Sequence, residues 1–108
     1  MELGKTYQVV DFGDAIRAMK KGKKVARLGW NGKSMWVALT PGSKIPLHLA
    51  RAGAAEHLKN EKVSGPLDEV NAIEISGHFD MRAADGTLVI GWLASQTDML
   101  AEDWVILG

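Results

Sequence analysis

The sequence predicts an α+β fold, a small antiparallel β-sheet with an N-terminal helix packed on one face, plus a short second helix. Three observations predict it: an amphipathic segment near the N-terminus, several short strand-like runs, and glycine-containing turn signals between those runs. The chain has 108 residues, of which 46% are apolar. We therefore expect a single domain over residues 1–108 with a small core.

The N-terminal helix is predicted from residue spacing. Its apolar residues recur at the i, i+3, i+4, i+7 positions of one helical face: Phe12, Ala15, Ile16 and Met19. Asp11 is placed to cap the first turn in a pair with Asp14, and Gly22 supplies a left-handed exit. We expect about three turns of helix docked on the sheet.

Strands are predicted around turn signals. Residues 23–30 and 34–40 flank Asn31-Gly32, the strongest dipeptide signal for a tight hairpin turn, which places Trp30 at the rim. Residues 72–83 are expected to be extended with a break near Gly77, and residues 87–92 to pair back after a turn at 84–86. A final strand at residues 104–107 is expected to bury Trp104.

The remaining segments give weaker signals. Residues 41–46 contain two prolines and a glycine and are interpreted as a breaker cluster. Residues 47–59 have helical character that Gly53 weakens, and residues 59–71 are interpreted as a polar surface excursion. Ser95 and Asp98 have the spacing that begins a short helix.

Composition excludes several classes of function. Thirteen basic and thirteen acidic residues cancel, which argues against duplex nucleic acid or an anionic membrane as the main partner. The chain has no cysteine, which removes thiolate catalysis and cysteine-based zinc sites. It has no apolar run of about 20 residues and no signal-peptide pattern, so we expect a cytoplasmic protein.

Catalytic motifs are missing as well. His48, His57 and His78 are scattered without metal-ligand spacing, and we interpret them as solvated or structural histidines. Gly29–Ser34 joins two predicted strands and is not a phosphate loop, and Ser95 lacks a nucleophile elbow. We predict no catalytic residue, no metal and no cofactor.

The candidate binding residues are aromatic and small polar side chains near turns. Indoles can stack on a base, amides and hydroxyls can bind ribose, and basic side chains can neutralise phosphate. The backbone amides after Ser95 could also hold a phosphate oxygen. For the tryptophans the alternative is a place in the core. The predicted ligand-binding set is Arg27, Trp30, Asn31, Lys33, Trp36, Trp92, Ser95, Gln96, Thr97 and Asp98.

Two motifs carry a family resemblance. "GWNG" at residues 29–32, together with "WLASQTD" at 92–98 followed by "LAEDW" at 100–104, resembles the second family of Thoeris anti-defence proteins of phages and prophages. The resemblance covers residues 12–46 and 79–107 and leaves residues 47–78 outside.

That resemblance implies a sponge that acts in the bacterial host cell. It would bind cyclic ADP-ribose isomers made by TIR-domain defence enzymes, and also the cyclic dinucleotides of CBASS systems, without cleaving them. It implies a homotetramer, for which we expect binding sites at subunit interfaces, with residues 29–36 of one chain beside residues 92–98 of another.

Two other functions stay open. One is an enzyme that degrades the nucleotide signal. The other is a protein-interaction module whose exposed tryptophans anchor a defence protein directly.

Overall fold

A computed structural model describes residues 7–62 and 72–108 of the chain. These residues form two compact units, one of residues 7–40 and 78–108 and the other of residues 41–62 and 72–77. The elements are antiparallel strands and short helices, so the predicted α+β class is confirmed. That the chain is a single domain stays a prediction.

The first unit is built on a five-stranded antiparallel sheet. Its strands, in spatial order, are β6 (Leu88–Ile90), β5 (His78–Arg82), β2 (Trp36–Thr40), β1 (Val25–Arg27) and β7 (Trp104–Ile106). The central pair, β2 and β5, is in register from Trp36 opposite Arg82 to Thr40 opposite His78. At the β7 edge, Val10 forms a bridge with Trp104.

Helix α1 (Phe12–Lys20) covers one face of this sheet, as predicted. The Asp11 carboxylate accepts a hydrogen bond from the Asp14 backbone N–H at 2.8 Å, which confirms Asp11 as the cap. The Asp14 carboxylate does not complete a capping box; it binds Arg17 at 2.5 Å instead. The core between helix and sheet consists of Ala15, Ala18, Met19, Val25, Val37, Met81 and Trp104.

The link between β1 and β2 is longer than the predicted tight turn. The two strands pair, with Val25 opposite Val37, but Leu28–Trp30 forms a single turn of 3₁₀ helix. The reason is a contact from distant sequence: the Gly29 N–H binds the Asp103 carboxylate at 2.8 Å instead of pairing with β2. The Leu28 N–H continues the pairing with β7, because it binds the Asp103 carbonyl at 3.1 Å.

The second unit differs from prediction in three places. The breaker cluster contains a strand, β3 (Ser43–Pro46), which pairs with β4 (Ala72–Ile75) in a separate two-stranded sheet. Proline is acceptable there because an edge strand leaves one row of N–H groups unpaired. Helix α2 (Gly53–Lys62) begins later than predicted, because Gly53 has a φ of 65° and a right-handed helix cannot continue through it. The helix ends at Lys62 and so includes the first residues of the expected excursion. Residues 63–71 of that excursion lie outside the described residues.

The C-terminal part agrees with prediction. Strands β5 and β6 form a hairpin, helix α3 (Gln96–Leu100) follows Ser95, and β7 buries Trp104 completely. Within the part of the chain that the structure describes, no helix is both long and apolar enough to cross a membrane.

Candidate functional site

Three tryptophans form an indole cluster, defined here as Trp30, Trp92 and Trp104. The ring centroid of Trp104 lies 5.4 Å from that of Trp30 and 6.4 Å from that of Trp92, in edge-to-face contacts. Trp30 and Trp92 are themselves 6.4 Å apart at 81°. Such geometry is favourable because the positive edge of one ring meets the negative face of another.

The two outer indoles are only partly buried. Trp30 and Trp92 pack against the core, whereas Trp104 is fully buried and donates its indole N–H to the Asp98 carbonyl at 2.9 Å. The core therefore fixes the orientation of two aromatic rings that also reach solvent. Their contact with the core is established, and stacking on a ligand stays a prediction.

Arg27 is held by two carboxylates in what we call the Arg27 clasp, formed with Asp98 and Asp103. Its Nε donates to Asp103 and its Nη1 to Asp98, both at 2.9 Å, and the arginine side chain is mostly buried. The hydrogen bond to Asp103 raises the pKa of Arg27 above its usual value, with a smaller contribution from Asp98. This cation, predicted to neutralise phosphate, is already balanced within the chain.

Asp103 is the residue of the clasp that the sequence analysis did not single out. Burial by itself would raise its pKa, but the hydrogen bonds from Arg27 and from the Gly29 N–H outweigh burial and lower the pKa. A Cβ on Gly29 would lie 3.0 Å from the Asp103 carboxylate, so this approach favours glycine. Asp103 thus connects β1 to the residue before β7, and it holds the backbone of Gly29, the residue before Trp30.

Ser95 and Asp98 form the predicted capping box at the start of α3. The Ser95 hydroxyl accepts from the Asp98 N–H at 3.1 Å, and the Asp98 carboxylate accepts from the Ser95 N–H at 3.2 Å. A negative charge therefore already lies at the helix end where we expected a phosphate oxygen. Gln96 and Thr97, in the first turn of α3, are exposed.

Residues 31–33 come directly after Trp30 in the sequence, and Asn31 and Lys33 lie on the surface. Asn31 adopts a left-handed conformation with φ 56°, and Gly32 has φ 67°, as the turn signal predicts. The Asn31 N–H closes the turn on the Leu28 carbonyl at 3.0 Å. The side chains of Asn31 and Lys33 are exposed beside Trp30 in the sequence.

Trp36 lies apart from the indole cluster. It alternates on β2 with Val37, which faces α1, so Trp36 lies on the opposite face of the sheet. The Lys24 ammonium is 5.5 Å from its ring centroid, within the range of a cation–π contact. Arg82 is its cross-strand neighbour, and the Arg82 Nη1 binds the Ser34 carbonyl at 3.0 Å.

A buried carboxylate on the same face, Asp80, was also missed. It accepts from the Gly91 N–H at 3.0 Å, contacts the His78 Nδ1 at 2.6 Å and binds the Thr40 hydroxyl. Burial raises the pKa of Asp80, but these hydrogen bonds outweigh it and lower the pKa. His78 thus has a side-chain partner in Asp80, and its interpretation as a structural histidine stays a prediction.

Comparison with known proteins agrees with the resemblance in the motifs. The family described as the Thoeris anti-defense 2-like domain matches residues 10–107. A relative named Thoeris anti-defense 2, from Bacillus phage SP01, is 33% identical over 98 residues, which cover 91% of this chain and 94% of the relative. The chain belongs to the Thoeris anti-defense 2-like family.

Membership in the Thoeris anti-defense 2-like family supports a phage anti-defence role. The match also corrects the extent of the resemblance, because residues 47–78 lie inside the matched range and not outside it. Those residues contain α2 and β4, so the second unit is part of the family domain.

The structure brings together part of the predicted set. Trp30, Arg27, Trp92, Ser95 and Asp98 are linked to one another through Trp104 and Asp103. The two motifs that carried the resemblance therefore meet within one chain, at the contact between Trp30 and Trp92. Asp98 and Asp103 lie five residues apart, but their partner Arg27 lies more than 70 residues away, so no local spacing indicates the clasp.

Proposed function

We propose that this chain is an anti-defence sponge that binds cyclic nucleotide immune signals without cleaving them. The ligands are cyclic ADP-ribose isomers made by TIR-domain enzymes of Thoeris systems and, secondarily, cyclic dinucleotides of CBASS systems. The supporting observation is the pair of partly exposed indoles, Trp30 and Trp92, oriented by the buried Trp104.

An oriented pair of aromatic rings suits ground-state binding. A purine stacks on an indole face at a gain of about 1–3 kcal/mol per base, and a ring already fixed by the core loses little freedom when it binds. Residues 31–33 next to Trp30 supply an amide and an ammonium for the ribose and phosphate groups of the same ligand. Lys33 takes the role of phosphate neutraliser because Arg27 is balanced by its two carboxylates.

The acidic groups nearby favour binding over catalysis. Asp103 is hydrogen-bonded to Arg27 and Gly29, and its lowered pKa keeps it ionised at neutral pH. A general acid needs a raised pKa near the working pH, which this environment does not provide. We therefore propose a non-enzymatic role.

The proposed assembly is a homotetramer in the cytoplasm of the bacterial host, with binding sites at subunit interfaces. A stoichiometric trap must supply more sites than signal molecules and must bind them below the threshold of the effector. A domain of 108 residues repeated in an oligomer supplies many sites for little chain.

Calorimetric titration against cyclic ADP-ribose isomers and cyclic dinucleotides tests the proposal. We expect saturable binding and recovery of intact nucleotide after heat denaturation of the complex. Recovery of an altered nucleotide would support the enzyme instead. Capture of a defence protein in the absence of any nucleotide, with no heat in the titrations, would support the protein-interaction module.

Two variants locate the site. Trp92→Leu keeps an apolar contact with Trp104 but removes the aromatic face, so we expect at least a tenfold loss of affinity in a folded protein. Lys33→Ala should weaken binding and reduce its salt dependence, whereas Lys44→Ala, at an exposed position on β3, should leave both unchanged. Unchanged affinity in Trp92→Leu and Lys33→Ala would place the ligand elsewhere.

A further inference from the structure

Strand β6 is one of the two edge strands of the five-stranded sheet. Within the part of the chain that the structure describes, it pairs only with β5. Leu88, Val89 and Ile90 are 54%, 43% and 63% exposed. Proteins keep an edge strand from pairing by making it short or by placing charged residues, proline or a bulge in it. This strand is short, with three residues, but it has neither charge nor proline.

The hydrogen-bonding pattern shows which backbone groups of β6 face outward. The Ala83 N–H binds the Thr87 carbonyl at 2.8 Å, which makes these two residues a hydrogen-bonded pair of the hairpin. Antiparallel pairs alternate, so Met81 and Val89 also exchange hydrogen bonds, whereas Leu88 and Ile90 do not bond to β5. The N–H and C=O groups of Leu88 and Ile90 therefore point away from the sheet.

These four outward groups match a second copy of themselves. If two β6 strands run antiparallel about a two-fold axis at Val89, Leu88 of one copy lies opposite Ile90 of the other. Each such pair exchanges two hydrogen bonds, so all four outward groups of both strands are satisfied. A register centred on Leu88 or Ile90 would leave some of them unpaired.

The side chains fit the same arrangement. Leu88 and Ile90 lie on one face of the strand, and four aliphatic side chains from two copies would pack together there. No like charges meet, because the residues flanking the strand are Thr87 and Gly91. Two sheets of five strands would become one of ten.

A stable interface buries about 800 Å² on each partner, which is more than a three-residue strand supplies. Leu93, three residues beyond β6, is 90% exposed and extends the apolar surface next to the edge. We propose that two copies of this chain associate through β6, with Val89 on the two-fold axis and Leu93 at the margin of the contact.

This inference rests on the sheet edge and not on any ligand. It names one contact of the oligomer included in the proposed function, and it can fail while nucleotide binding holds. Ligand titration and oligomer measurements on the same variants therefore distinguish the two.

A cysteine at the axis gives a direct test. Two Val89 residues facing each other form a non-hydrogen-bonded pair, with Cα atoms about 4.5 Å apart, a separation that a disulfide can span. The chain has no cysteine of its own, so Val89→Cys should form a covalent dimer under mild oxidation. Val9→Cys, at a position of similar exposure, is the matched control and should stay uncrosslinked at the same concentration.

A charge at the edge gives the complementary test. Leu88→Lys places two ammonium groups in the contact, and we expect its association constant to fall at least tenfold in analytical ultracentrifugation. Leu49→Lys, at a leucine that is also 54% exposed but lies in the second unit, should associate as the unmodified protein does. Circular dichroism confirms that both variants are folded.

Two results would overturn the inference. One is an unmodified protein that remains monomeric at about 100 µM, a concentration well above the Kd expected for a specific interface. The other is an oligomer that Leu88→Lys leaves intact while Val89→Cys gives no crosslink.

Discussion

Replacing Asp103 by asparagine separates the charge of the Arg27 clasp from its shape. The Asp103 carboxylate accepts from the Arg27 Nε at 2.9 Å and from the Gly29 N–H at 2.8 Å. An amide offers one oxygen and one NH₂ group, so only one of these two donors keeps its acceptor. The other donor would face an NH₂ group, which cannot accept.

The cost follows from that lost acceptor. A hydrogen bond to a charged group contributes about 1.5–3 kcal/mol. The Asp103 side chain is 32% exposed, and water partly replaces the lost contact. We therefore expect the free energy of unfolding to fall by about 2 kcal/mol, which corresponds to a Tm lower by about 10 °C for a domain of this size.

The pH dependence gives the variant a second signature. The pKa of Asp103 is lower in the folded protein than in the unfolded chain, where an aspartate has a pKa of about 3.9. Its stabilisation is present above that value and is lost as the pH falls through the folded pKa. The stability difference between the unmodified protein and Asp103→Asn should therefore be constant from about pH 7 to 5 and shrink below about pH 4.

Urea unfolding across this pH range, at one protein concentration, measures both effects. The matched control is Asp85→Asn, because Asp85 also accepts two hydrogen bonds, both from Thr87, but in an exposed turn. We expect the control to change stability by less than about 0.5 kcal/mol. A loss of that size or less in Asp103→Asn, or a difference that does not depend on pH, would refute the reasoning.

Three further predictions concern other parts of the first unit. Trp104→Phe removes the hydrogen bond to the Asp98 carbonyl and reduces the volume that fills the core, so the free energy of unfolding in urea should fall by about 2–4 kcal/mol. A smaller loss would contradict a central role for this indole. Ser34→Gly should raise the Tm by a few degrees, since Ser34 has a left-handed φ of 61° that glycine adopts at less cost, and an unchanged or lower Tm would argue against strain there. Asp80→Asn leaves at least one of the donors Thr40 and Gly91 without its acceptor, so the free energy of unfolding should fall by about 2 kcal/mol. Amide hydrogen exchange at Gly91 should accelerate in this variant, and an unchanged exchange rate would contradict the prediction.

Local signals predicted the elements that local contacts determine. Helix α1 follows from its apolar spacing and its cap at Asp11, and α3 follows from the pair of Ser95 and Asp98, whose hydrogen bonds lie within four residues. The β5–β6 hairpin follows from the turn at residues 84–86 in the same way. In each case the stabilising partner is a near neighbour in sequence.

Contacts between distant residues explain the parts that were not predicted. Strands β1 and β2 pair as predicted, but the link at Asn31-Gly32 is longer than a tight turn because Asp103, 74 residues after Gly29, binds the backbone before it. For the same reason the sequence could suggest Arg27 as a phosphate ligand but could not show that Asp98 and Asp103 already hold it. The pattern of a single sequence shows the spacing of residues along the chain but not which charged side chains form ion pairs, and only the fold brings Arg27 to its two aspartates.

The position of β7 has a consequence for synthesis of the protein. This strand supplies Trp104, on which Phe12, Trp30 and Trp92 pack, and it pairs with β1 some eighty positions earlier in the chain. A ribosome-bound chain that has emerged only as far as α3 contains the residues of the first helix and of most strands but lacks the Trp104 ring on which the other aromatic side chains pack. Stable folding must therefore wait until Trp104–Ile106 has left the exit tunnel, and up to that moment the nascent chain exposes its apolar surface to chaperones.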